Sequence, residues 1–142
     1  RADALERSNL ALHEQLAMIV RQQAQIQQLS APILRVWRGV LVVPLVGSID
    51  DEQIASLSER LLQALCDDRA RVAILDLTGL DAVDAATGQR LHAVIGAVRL
   101  IGARCHITGV RPALAAALAE HDVRGLSSFA TLADGLAAAL AR

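Results

Sequence analysis

Apolar residues in the first thirty positions recur with a seven-residue period. The two seam positions of the heptad hold Leu5, Leu12, Ile19 and Ile26, and Asn9, Leu16 and Gln23. This pattern is typical of two parallel helices, and a polar Asn in such a seam fixes register and strand number at a cost in stability. It predicts a coiled-coil-like linker and dimerisation helix over residues 1–30, and a homodimer. An amphipathic helix that packs against its own domain is the alternative.

After Pro32, which cannot continue a helix, short apolar strands alternate with amphipathic helices. The predicted elements are strands 33–37 and 40–46, a helix from residue 50, strand 71–77, helix 85–101, strand 103–110, helix 112–121 and a last helix capped by Thr131. Pro44 indicates an edge or a bulge in the second strand. The fold class is therefore α/β, with a mixed sheet of about four to five strands flanked by helices in one domain, residues 31–142.

Composition and charge narrow the classes of partner. The 142 residues are 54% hydrophobic, and 14 basic against 15 acidic residues give a formal net charge of -1. This content is ample for a packed core, while the balanced charge provides no basic field for nucleic acid or for an anionic membrane. No stretch approaches the ~18 consecutive apolar residues that span a bilayer. We therefore expect a cytoplasmic protein that binds neither nucleic acid nor membrane.

Residues that carry enzyme chemistry are scattered along the chain. Cys66 and Cys105 each lie in an apolar stretch, which predicts buried free thiols. The four histidines fall on four different predicted elements, and there is no phosphate-cradling glycine motif. The acidic residues Asp76, Asp81 and Asp84 have structural roles in a strand, a turn and a helix cap. The sequence thus predicts no enzyme, no metal and no cofactor.

The polar residues cluster instead in loops that follow predicted strands. Because ligands and partners of open α/β sheets bind beyond the carboxyl ends of the strands, we expect a functional surface there. Ser48, Asp50, Thr108 and Arg111 are expected to form this surface, the partner-binding rim. For Arg111, a solvated loop charge is the structural alternative.

One of these loops leads into a helix start suited to a phosphate switch. Asp84 is a good N-cap, and Ala85 would be the first helical residue. Helix N-termini favour anions through exposed amides and the macrodipole, so a phosphate at this point would alter the surface without unfolding it. We name Thr78, Asp84, Ala85 and Thr87 the switch region.

Three segments carry a family resemblance: VVPLVGSID, ILDLTGLDAVD and RLIGARCHITGVRPALAAAL. Together they resemble the STAS domain of RsbR-type stressosome proteins, within the anti-sigma-factor antagonist superfamily, over residues 32–142. The resemblance implies a non-enzymatic switch that assembles with STAS paralogues into a large complex. It also implies that this complex sequesters a switch serine/threonine kinase, which phosphorylation would release.

The sequence departs from this family at the phosphate acceptor. The usual Ser or Thr directly after the aspartate corresponds to Ala85. Thr87, two residues into the helix, and Thr78, expected in the preceding turn, are the candidate replacements. Their structural alternatives are a helix-cap partner for Thr87 and a local turn hydrogen bond for Thr78. A chain that is never phosphorylated is the third possibility.

Two other functions are compatible with a STAS domain. One is a regulatory domain of a membrane transporter or a lipid-transport system, and the polar, Gln-rich first helix disfavours it. The other is a single-domain antagonist that binds an anti-sigma kinase directly, a role that needs the missing acceptor hydroxyl.

Overall fold

The computed structural model describes residues 2–26, 31–81, 85–119 and 126–141. Within these ranges strands and helices alternate from Val40 onwards, as predicted. The elements are α1 (Ala2–Ile26), β1 (Leu34–Trp37), β2 (Val40–Gly47), α2 (Asp51–Asp67), β3 (Val72–Leu80), α3 (Ala85–Leu100), β4 (Arg104–Thr108), α4 (Pro112–Ala119), β5 (Ser127–Phe129) and α5 (Leu132–Leu140).

The described strands form one five-stranded sheet in the order β1-β2-β3-β4-β5. β1 and β2 are an antiparallel hairpin, whereas β2 to β5 run parallel to one another. This arrangement confirms the predicted mixed sheet of four to five strands. β5 was not predicted, because its three residues are too few to show the two-residue period of a strand.

Pro44 marks an irregular point of the sheet, as its sequence position suggested. The pairing of β1 with β2 ends at Leu34 and Val42, so no β1 residue is paired with Pro44. The register between β2 and β3 then shifts between Pro44 and Val46. Proline lacks the N–H that a second ladder would require, and it is tolerated at such an edge or bulge.

The two faces of the sheet are covered by different helices. One face packs with α2, α3 and α4 in a core that includes Leu75, Leu91 and Leu114. The other packs with α1 and α5 around Ile74 and Leu136. Successive strand residues therefore point into different cores, as the pleat requires. Burial of each large apolar side chain contributes about 1.5–3 kcal/mol to folding.

Helix α1 contacts the domain through one face of its second half. Ala17 and Val20 are buried in the core that α1 shares with α5 and β2, and Ala24 is also buried. Every described side chain from residue 4 to residue 12 is exposed. The alternative of packing against the chain's own domain thus applies to this face of α1, which lies beside the predicted dimer seam and shares Leu16 with it.

The predicted seam remains uncovered in the single chain. Leu5, Leu12 and Ile19 are 69%, 59% and 51% exposed. Asn9 is also exposed, and Leu16 and Gln23 are partly buried. The side chain of Ile26 lies outside the described part of the structure. A second helix therefore has free access to most of this seam.

Candidate functional site

The switch region lies where β3 leads towards α3. Ala85 is the first residue of α3, as predicted, and both Ala85 and Ala86 are exposed. Asp84, the expected N-cap, lies outside the described residues. The family resemblance implies an acceptor hydroxyl at position 85. This position is on the surface, and in this chain it holds the methyl group of Ala85.

Thr78 lies in a strand and not in a turn, so its predicted location was wrong. β3 continues three residues beyond the predicted end, because Gly79 and Leu80 pair with Val46 and Gly47 of β2. Thr78 is exposed, and its Oγ1 donates a hydrogen bond of 2.8 Å to Oδ1 of Asp76. Its side chain thus reaches the surface, and its hydroxyl is held by one carboxylate.

Thr87 is enclosed, in contrast to Thr78. It is the third residue of α3 and is 1% exposed. A kinase needs its acceptor hydroxyl in solvent, so Thr87 would have to leave its packed position before modification. Of the two candidate replacements, Thr78 is the one whose side chain is exposed in the folded chain.

The partner-binding rim is exposed at three of its four predicted residues. Ser48, Asp50 and Arg111 are exposed. Asp50 caps α2: its Oδ1 accepts from the Gln53 amide at 2.7 Å, and the Gln53 side chain accepts from the Asp50 amide at 3.0 Å. This is the predicted capping box. Thr108 is 0% exposed, so a role in surface contact was wrongly assigned to it.

A salt bridge joins the first turns of α2 to helix α3. Nε of Arg90 lies 2.6 Å from Oδ1 of Asp51, and Nη1 of Arg90 donates to the Ile49 carbonyl oxygen at 3.2 Å. The carboxylate is exposed, so the pair itself contributes little stability. Its effect is positional, because it holds the loop after β2 beside the helix of the switch region. No sequence motif marks Arg90, since the pair spans 39 positions.

The buried carboxylate of Asp76 organises the ends of β3 and β4. Asp76 is 3% exposed, and its Oδ1 accepts from both Thr78 and Thr108 at 2.8 Å. Gly109 follows β4 with a φ of 70°, and a Cβ placed there would lie 2.1 Å from Oγ1 of Thr78. The strand ends therefore approach closely, and glycine is required at position 109.

The two cysteines differ in exposure. Cys66 is exposed, so its predicted burial was wrong, whereas Cys105 is buried as predicted. Burial raises the pKa of the Cys105 thiol to about 12, which keeps it protonated at neutral pH. His106 follows on the opposite face of β4, where its ring packs edge-on against Phe129, and burial lowers its pKa. Cys105 and His106 do not form a thiol–imidazole pair.

Comparison with known proteins agrees with this fold. The family model of the STAS domain matches residues 31–137. The chain belongs to the STAS-domain family. Among curated relatives, the chain is 35% identical over 121 residues to the RsbT co-antagonist protein RsbRA of Bacillus subtilis (strain 168). That match covers 84% of the chain and 44% of RsbRA, so the chain spans less than half of its relative.

Solved structures show the same similarity. An RsbS variant of Moorella thermoacetica superposes on the STAS domain with a TM-score of 0.67 and 26% identity, over 78% of this chain and 95% of that one. A chain from a structure of the stressosome, a signal integration and transduction hub, superposes with a TM-score of 0.63 and 28% identity. It covers 78% and 99% of the two chains. In the described part of the chain, no helix has the length and apolar character of a membrane span.

Proposed function

We propose that this STAS domain is a non-enzymatic signalling scaffold of the RsbR type in a bacterial stress-response pathway that regulates a sigma factor. The observation that carries the proposal is its 35% identity to an RsbT co-antagonist protein over 121 residues. The likeness to a chain of the stressosome supports assembly with STAS paralogues. In this role the domain acts through binding surfaces, and its partner is a switch serine/threonine kinase that it sequesters.

The exposed polar groups beyond the parallel strands are the proposed kinase-binding surface. Ser48, Asp50 and Arg111 lie in loops at that edge, and the start of α3 lies at the same edge. Arg90 holds one of these loops beside α3. A phosphate at the start of α3 would therefore alter the partner contacts of the loop between β2 and α2.

Reversing the charge of Arg111 is expected to weaken kinase retention. Arg111→Glu replaces a cation of the rim by an anion, and a charge at the edge of an interface acts mainly on the association rate and its salt dependence. The measurement is the association rate of the purified kinase with immobilised STAS domain at two salt concentrations. Arg38→Glu is the matched control, because Arg38 is exposed in the β1–β2 turn, at the end of β2 opposite to the rim. Equal association rates for the two variants would reject the rim as the binding surface.

Restoring a hydroxyl at the helix start is expected to create a better kinase substrate. Ala85→Thr places an acceptor at the first position of α3, where the helix amides favour the added phosphate. We expect a several-fold gain in phosphate incorporation, mapped to position 85 by mass spectrometry. Ala86→Thr controls for an exposed threonine one residue away. Equal phosphate incorporation into the Ala85→Thr and Ala86→Thr variants would contradict a position-specific switch.

In the unaltered chain, phosphate is expected on Thr78 rather than Thr87.

A further inference from the structure

The Asp76 carboxylate lies on the face of the sheet that α1 and α5 cover. Ile74, two residues earlier in β3, belongs to the core formed with these helices, and side chains alternate along a strand. Asp76 therefore points away from α2 and α3. It pairs in register with Thr108 of β4, and its own Oδ1 accepts the hydroxyls of Thr108 and Thr78.

The second oxygen of this carboxylate faces the linker helix. Oδ2 of Asp76 lies 3.9 Å from Nε of Arg21, a residue of α1. Arg21 lies about one helical turn from both Ala17 and Ala24, which are buried, so its side chain starts from the docked face of α1.

A carboxylate that is 3% exposed needs compensation for the water it has lost. The two hydroxyl donors both bind Oδ1, and Arg21 supplies a positive charge on the side of Oδ2. Because the Arg21 side chain is 46% exposed, it can exchange this contact for water. Asp76 cannot make the same exchange while it remains buried. The contact is thus asymmetric, and movement of α1 changes the environment of Asp76 more than that of Arg21.

We infer that Asp76 is a positioning residue through which α1 sets the hydroxyls of Thr78 and Thr108 at the strand ends, with Arg21 as the contact from the helix. When Arg21 leaves, the carboxylate must turn towards its remaining donors, and the two hydroxyl bonds change together. The consequence for signalling rests on the proposed function: the position of the linker helix then controls the Thr78 hydroxyl of the switch region. By linkage, a change at Thr78 also alters the docking of α1.

Threonine methyl groups give a direct test in the full chain without any kinase. The sequence has four threonines, Thr78, Thr87, Thr108 and Thr131. Two share the Asp76 carboxylate, Thr87 is buried in α3, and Thr131 caps α5. Selective ¹³C-methyl labelling of threonine therefore yields two reporters and two internal controls.

Arg21→Gln is expected to shift the Thr78 and Thr108 methyl signals and to leave the Thr87 and Thr131 signals in place. Arg21→Lys, which keeps the charge, should restore most of the original positions. Arg7→Gln is the matched control on the exposed first half of α1 and should move none of the four signals. In an Asp76→Asn background, Arg21→Gln should add no further shift at Thr78 or Thr108.

Three results would overturn the inference. The first is that the Thr78 and Thr108 methyl signals keep their positions in the Arg21→Gln variant. The second is a shift at Thr131 as large as that at Thr78, because Thr131 caps the helix against which α1 packs and would report general undocking. The third is an undiminished effect of Arg21→Gln in the Asp76→Asn background. Since the spectra require no partner, loss of kinase binding in the separate assay would refute the proposed function without affecting this result.

Discussion

The double substitution Leu12→Asp and Ile19→Asp is expected to convert a dimer of this chain into a monomer. Both side chains belong to the predicted seam, and they are 59% and 51% exposed in the single chain. In a parallel coiled coil they would be buried between two helices, where an unpaired carboxylate is strongly unfavourable. The mass measured by light scattering should therefore fall by half across the concentration range in which the unaltered chain is dimeric.

Met18→Asp is the matched control for this experiment. Met18 is 60% exposed on the same helix, next to Ile19, but it occupies neither seam position of the heptad. The same change of an exposed apolar residue to aspartate should leave the dimer mass unaltered. A monomer in both variants, or a dimer in both, would reject the seam and leave the exposed apolar residues of α1 without an assigned partner.

The dimer variants are not expected to unfold the domain, because α1 uses a different face to dock. Successive helical residues are about 100° apart, so Ala17, Val20 and Ala24 form a stripe beside the seam rather than on it. Ala17 and Val20 are buried against α5 and β2, and Ala24 is also buried. The Leu12→Asp and Ile19→Asp variant should therefore still unfold in a cooperative thermal transition, at a lower midpoint than dimeric Met18→Asp because it lacks the stabilisation that dimerisation provides.

The sequence predicted those features that short-range patterns determine. The alternation of helices and strands, the Asp50–Gln53 capping box and the start of α3 at Ala85 all follow from periodicity and helix-end chemistry within a few residues. Pro44 similarly indicated its own bulge, since its missing N–H is a local property.

Features that depend on contacts between distant segments could not be predicted. Thr78 lies in a strand because β2 pairs with the end of β3, and Thr87 is buried because α3 turns that residue towards the core. The strand pairing is not encoded in the nearby residues, whereas the burial of Thr87 could have been predicted, because it lies four positions before Leu91 on the apolar face of α3. Asp76 appeared to be an ordinary strand residue, since its partners Arg21 and Thr108 lie 55 and 32 positions away.

Gly109→Ala is expected to destabilise the domain and to disturb Thr78. The backbone at position 109 has a φ of 70°, and the new Cβ would lie 2.1 Å from Oγ1 and 2.9 Å from the amide nitrogen of Thr78. A left-handed conformation costs a non-glycine residue about 1–2 kcal/mol. Overpacking adds about 1–3 kcal/mol. The free energy of unfolding measured in denaturant should therefore fall by roughly 2–5 kcal/mol.

Gly102→Ala separates the two causes of this loss. Gly102 has a φ of 90°, but a Cβ there would meet no described atom within 4 Å. This variant should lose about 1–2 kcal/mol from backbone strain alone. The further loss in Gly109→Ala then measures how closely Gly109 approaches Thr78. Thr78→Ala in the Gly109→Ala background should recover part of the difference, because it removes Oγ1 but leaves the amide nitrogen 2.9 Å away. Equal losses for Gly109→Ala and Gly102→Ala would show that the strand ends can separate freely, which is incompatible with Thr78 and Thr108 being held by one carboxylate.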